Sequence, residues 1–93
     1  MVIYVDVDDT LVRFAGSKKI PMTIAIDRVR KLALEGASLY LWSTGGGEYA
    51  KSMAVDLGIA DCFKAFLPKP QLIIDDQPIH EWRDFKHSYP LEG

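Results

Sequence analysis

Asp6, Asp8 and Asp9 place three carboxylates within four positions, and Thr10 follows them directly. Like charges repel, and gathering them at the end of an apolar run is unfavourable unless something neutralises them. A divalent cation does so, and Mg²⁺ favours oxygen ligands. Asp is also common in solvated turns, so the cluster gains meaning only from its company. Asp75 and Asp76 repeat the pattern after the apolar triplet Leu72-Ile73-Ile74. Between the two acidic clusters lies Ser43-Thr44-Gly45-Gly46-Gly47. Ser43 or Thr44 offers a hydroxyl, and the glycines leave backbone N–H groups open where a helix begins, which suits an anion. The same five residues would also serve as a plain loop. Lys69 lies six residues before Asp75 and can bring a positive charge to the same place. Carboxylates, a cation, a hydroxyl and open N–H groups are the parts that phosphoryl chemistry needs.

The elements that must position these residues follow from patterning. Val2-Ile3-Tyr4-Val5 is β-branched and aromatic, and predicts a first strand over about Val2–Val7. Leu11–Ile20 contains Gly16, Ser17, Lys18 and Lys19 and reads as a loop or small hairpin with a solvated tip. Pro21 is expected to open a helix, with Ile26, Val29 and Leu32 or Ala33 on its apolar face and Gly36 just past its end. Leu39-Tyr40-Leu41-Trp42 predicts a second strand. A second helix is expected from about Glu48 to Leu57, with Tyr49, Ala50, Met53, Ala54 and Leu57 on one face and Gly58 ending it. Phe63–Leu67 is expected to be a short third strand and Leu72–Ile74 a fourth, buried one. Trp82 and Phe85 fit a short helix in the remainder, Gln77–Gly93.

Strands alternating with helices imply βαβ units and an α/β fold with a small parallel sheet. Parallel sheets are usually covered on both faces. In such folds ligands bind beyond the carboxyl ends of the strands, where strand order reverses. The polar clusters lie just past strands one, two and four. They converge if strand one is central, so the expected order is 4-1-2-3.

In its order of Asp-x-Asp-x-Thr, Ser, Lys and Asp-Asp, the chain resembles the haloacid-dehalogenase (HAD) superfamily of phosphohydrolases over about Val2 to Pro78. The resemblance implies a Rossmann-like three-layer sandwich and a Mg²⁺-dependent phosphatase acting through an aspartyl-phosphate. By position, Asp6 would be the nucleophile and Asp8 the general acid/base. Ser43 would hold the phosphoryl group, with Thr44 as the alternative reading, and Gly45 and Gly46 would help bind it. Lys69 would be the motif lysine, with Lys64 as fallback. Asp6, Asp8 (through its carbonyl), Asp75 and Asp76 would hold Mg²⁺, Asp76 in direct contact. Thr10 would steady the loop, and Asp9 fills a variable slot.

The chain departs from most such phosphatases in its spacing. Neither the gap after Thr10 nor that between Ser43 and Asp75 can hold a folded cap domain, so the resemblance implies an open, capless site. An open site suits a large phosphorylated substrate or a lid lent by a neighbouring subunit. Two other readings use the same residues. One is a phospho-acceptor signalling module of the receiver type, which would place its acidic pair on the first strand and its acceptor on a later one. The other is a non-catalytic metal-binding protein of the same fold.

The 93 residues make one domain, with 48% hydrophobic and 26% charged residues and a net charge of −2. Acidic and basic residues are interspersed, which gives no nucleic-acid footprint. The single cysteine, Cys62, reads as a packing residue in a reducing, cytoplasmic setting. The first apolar run is broken by Asp6 and does not read as a signal peptide. No run of about 20 apolar residues marks a membrane span. His80 and His87 read as solvated, and Trp42 as core. Trp82 and its neighbours are expected to favour a homodimer, since the core of so short a chain is thin.

Overall fold

The computed structural model describes residues 1–92. Five strands and two α-helices follow in the order β1 (Val2–Asp6), β2 (Val12–Ala15), β3 (Lys18–Pro21), α1 (Thr23–Leu34), β4 (Ser38–Ser43), α2 (Gly47–Asp56) and β5 (Phe63–Pro68). Short 3₁₀ turns cover Ala60–Cys62 and Ile79–Glu81. β1, β4 and β5 form a parallel sheet in that order, and β2 and β3 form a separate antiparallel hairpin. The fold is therefore α/β with a small parallel sheet, as the alternation of patterns implies.

The local reasons are visible element by element. β4 alternates strictly, so Leu39, Leu41 and Ser43 are buried while Tyr40 and Trp42 face the other side. Leu39 and Leu41 share one core with Ile26 and Val29 of α1 and with Ala50, Met53 and Ala54 of α2. α1 keeps its apolar stripe at helical spacing and stops at Gly36, whose φ of +92° favours glycine. Pro21 is the last residue of β3 rather than the first of α1, and Met22 occupies the N-cap position. Its missing N–H is tolerated at the end of an edge strand as readily as in a first helical turn. The region Leu11–Ile20 folds largely as the expected small hairpin, and Lys19 at its tip pairs with Asp56 at the end of α2 (2.9 Å).

Two expectations are corrected. The strand order is β1-β4-β5, which in chain order of the parallel strands is 1-2-3 and not 4-1-2-3. Leu72–Ile74 forms no strand, and Leu72 and Ile74 are 78% and 92% exposed rather than buried. Three apolar residues between Pro70 and the Asp75-Asp76 pair offer few ladder hydrogen bonds. The 3₁₀ turn that follows is too short to cover a strand laid outside β1. β1 is consequently an edge, and the order of the strands contains no reversal.

A third correction concerns layering. Helix residues and the buried face of β4 form one core, whereas the opposite face carries Tyr4, Tyr40 and Trp42 with Tyr4 47% exposed. There Tyr4 stacks on Tyr40 at 5.1 Å and meets Trp42 edge-on at 4.7 Å. The covering expected on both faces is thus realised on one. Trp42, expected in the core, belongs to this half-exposed aromatic cluster.

Candidate functional site

The carboxyl edge of the sheet brings three of the expected residues into a row. Asp6 ends β1 and pairs in register with Trp42 of β4; Ser43 ends β4 and pairs with Pro68 of β5. Lys69 follows β5 at once, and its N–H donates to the Ser43 carbonyl at 2.8 Å. Parallel pairing brings these ends together: β1 stops opposite Trp42, one residue before Ser43, and a register shift between Leu39 and Tyr40 leaves Pro68 opposite Ser43.

Asp6 is held from two sides. The Thr10 hydroxyl donates to its Oδ2 at 3.4 Å, and Lys69 Nζ lies 4.0 Å from its Oδ1. The loop carrying Asp8, Asp9 and Thr10 winds tightly around one acceptor. The buried Val7 carbonyl receives the N–H groups of Thr10, Leu11 and Val12 at 3.2, 2.8 and 3.3 Å. Such a turn requires a left-handed residue, and Asp9 supplies it with φ of +62°. Asp tolerates that conformation better than most side chains. The slot that carried no chemistry in the sequence reading therefore has a backbone task.

Asp8 has a partner that sequence reasoning missed. The Tyr49 hydroxyl donates to Asp8 Oδ1 at 2.7 Å. Its spacing places Tyr49 on the apolar face of α2, and its ring does pack against the core. Its polar tip reaches the strand end instead, as an amphipathic side chain on a first helical turn can do. The hydrogen bond to Asp8 pushes the phenol up to about 12, aided by burial and by the negative charges of Asp8 and Asp6. A tyrosine opening the helix that leaves the Ser43 loop was the available signal.

The Ser-Thr-Gly-Gly-Gly loop is built on packing as much as on binding. Ser43 is 1% exposed, and its Oγ accepts the Gly45 N–H at 3.0 Å. Gly46 N–H donates to the Ser43 carbonyl at 3.0 Å, and its φ of +102° favours glycine. A Cβ on Gly45 would lie 2.9 Å from the Tyr49 ring, and one on Gly47 would lie 2.7 Å from the Phe66 carbonyl oxygen. The Gly45 and Gly46 N–H groups, expected to face a phosphoryl group, are thus engaged with Ser43. With one lone pair taken by Gly45, the Ser43 hydroxyl keeps its own proton to donate. The first-turn N–H groups of α2, beginning at Gly47, lack intrahelical acceptors. Thr44 is exposed at the head of this loop.

Asp75 and Asp76 stand apart from this grouping. Both are exposed, and Asp75 Oδ1 accepts the Gln77 N–H at 2.9 Å in a local turn. Among the described residues no three Asp, Glu, His or Cys side chains are gathered closely enough to hold a metal ion. Lys64, the alternative lysine, is exposed near the start of β5 and far along the strand from Lys69. His80 and His87 are exposed, and His87 packs edge-on against Tyr89 at 4.4 Å. Cys62 is half-buried, and burial followed by the Asp61 charge pushes its thiol up, against a weaker pull from Arg30. That is the reverse of what an activated nucleophile needs. No described helix is long and apolar enough to cross a membrane.

The site therefore joins an anchored carboxylate facing a lysine, a second carboxylate held by a phenol, and a buried serine hydroxyl, all at one sheet edge. Comparison with protein-family models, with curated proteins and with solved structures gave no match for this chain.

Proposed function

We propose that the protein is a Mg²⁺-dependent phosphohydrolase of HAD type that acts on a phosphomonoester through an aspartyl-phosphate on Asp6. The observation that carries this reading is the pairing of Asp6 with Lys69 across the sheet edge at 4.0 Å, with Thr10 fixing the other carboxylate oxygen. A carboxylate kept in place by one oxygen presents its second oxygen to an incoming group, and the lysine beside it attracts the dianionic phosphate. The Rossmann-like arrangement of β1-α1-β4-α2-β5, with a hairpin flap after the first strand and no cap, belongs to the same proposal.

In the first step an Asp6 oxygen attacks phosphorus and the bond to the leaving oxygen breaks, while Asp8 gives that oxygen a proton. In the second, Asp8 takes a proton from water, the water oxygen attacks phosphorus, and the bond to Asp6 breaks. Ser43 donates its hydroxyl proton to a phosphoryl oxygen, and Lys69 balances the charge on another. A positioned acid and base typically contributes about 10²–10⁴-fold to such steps. The groups at this end of the sheet able to ligate a cation are oxygens, which suits a hard cation. Asp6 and the Asp8 carbonyl would hold Mg²⁺, whereas Asp75 and Asp76 are exposed and stand apart from them, so the expected four-residue set is not gathered among the described residues. When bound, the cation neutralises the phosphate charge that would otherwise repel Asp6.

The test is hydrolysis of an aryl phosphate with and without Mg²⁺, in the native protein and in Asp6→Asn. The proposal expects turnover that needs the metal and is abolished by the substitution. A stable phospho-adduct without turnover would favour the signalling module. Magnesium binding with neither adduct nor turnover would favour the non-catalytic protein. A screen over nucleotides, sugar phosphates and phosphopeptides would then identify the substrate class.

A further inference from the structure

We propose that Tyr49 is a positioning residue: it holds the Asp8 carboxyl group in the orientation from which it reaches the leaving oxygen. The inference rests on the phosphohydrolase reading above and deepens it. Its physical basis is a chain of fixed contacts. Tyr49 lies in the first turn of α2, and its hydroxyl donates to Asp8 Oδ1 at 2.7 Å. The ring cannot swing freely, because it packs so closely over Gly45 that a Cβ there would sit 2.9 Å from Cδ2. Gly45 is itself tied to the end of β4 through its N–H bond to Ser43 Oγ at 3.0 Å. The helix start is equally fixed, since Gly47 packs against the Phe66 carbonyl of β5. One rigid path therefore runs from the strand ends through the Ser43 loop and the Tyr49 ring to Asp8. The Asp8 backbone is fixed by the tight turn around the Val7 carbonyl, and the hydrogen bond from the pinned phenol fixes its side chain as well.

The arrangement also divides labour between the carboxylates. Thr10 and Lys69 restrain Asp6, whereas Tyr49 restrains Asp8. Two acidic groups so close in sequence are kept to different tasks by different partners. The glycine at position 45 acquires a reason beyond loop flexibility, because any larger residue would displace the phenol.

The experiment compares kcat/KM for two substrates in the presence of Mg²⁺: an aryl phosphate, whose leaving group needs little protonation, and an alkyl phosphate, whose leaving group needs it. Tyr49→Phe keeps the ring and removes the hydroxyl. It is expected to lower kcat/KM for the alkyl ester by about 10-fold while leaving the aryl ester nearly unchanged. In an Asp8→Asn background the same substitution should have no further effect on the alkyl ester. Gly45→Ala, which pushes the ring without removing the hydroxyl, should reproduce the selective loss and covers the case in which Tyr49→Phe folds poorly. Equal losses on both esters, or an undiminished loss in the Asp8→Asn background, would overturn the role of Tyr49. Absence of any Asp6-dependent turnover in the native protein would instead remove the phosphohydrolase, and this role with it.

Discussion

At the scale of single residues, the site is organised by hydrogen bonds to carboxylates, and Tyr49 reports on them directly. Its phenol is held in the neutral, donating form by Asp8, so its ionisation moves from 10.0 to about 12. The folded value lies above the unfolded one. The contribution of this bond to stability is therefore complete below pH 10 and is lost as pH rises through about 12. Titration of the phenolate absorbance should show Tyr49 ionising late, and Asp8→Ala should return it toward the ordinary range. The residues that carry this chemistry were only partly legible in the sequence. Asp6 and Ser43 could be singled out because each follows an apolar run and so must stand at a strand end, Thr10 by its place in Asp-x-Asp-x-Thr, and Lys69 by the prolines that flank it and its spacing from Asp75. Tyr49 could not, because helical spacing with Met53 accounts for its ring and says nothing of its hydroxyl. Gly45 and Gly46 read as an anion cradle, yet their N–H groups are satisfied by Ser43. Spacing alone does not distinguish a loop that binds from a loop that packs.

Among the elements, those fixed by local rules agree with the sequence and those decided by neighbours do not. Gly36 and Gly58 end their helices with positive φ, as glycine past an apolar stripe should. Phe63–Pro68 forms its strand because β4 and α2 stand ready to receive it. Leu72–Ile74 has the composition of a strand but lacks a cover for its second face. Its amides should therefore exchange with solvent far faster than those of Leu39–Leu41, as hydrogen exchange read by mass spectrometry would reveal. The junction of α2 with β5 is the tightest approach between elements. Gly47→Ala would force a Cβ to 2.7 Å from the Phe66 carbonyl oxygen, and backbone on both sides leaves little room to yield. The substitution should destabilise the protein by about 1–3 kcal/mol in urea unfolding, with the loss of packing centred on that contact. The hairpin is tied more loosely. Its Lys19–Asp56 pair is a third to a half exposed, and pairs of that kind contribute little.

For the molecule as a whole, the sheet is covered by helices on one side and shows an aromatic cluster on the other. The polar row stands at its carboxyl edge. The sequence pointed correctly to parallel pairing and to the edge where polar groups gather. It misjudged the order of the strands because that order hinged on Leu72–Ile74, whose placement depends on chain that would have to cover it. The sheet grows outward in one direction: β4 docks beside β1, and β5 docks beside β4. Every new strand thus finds its partner in the one completed just before it. A polypeptide emerging from a ribosome could add these units in the sequence of their synthesis, with no earlier strand left waiting for a late arrival at the sheet's middle.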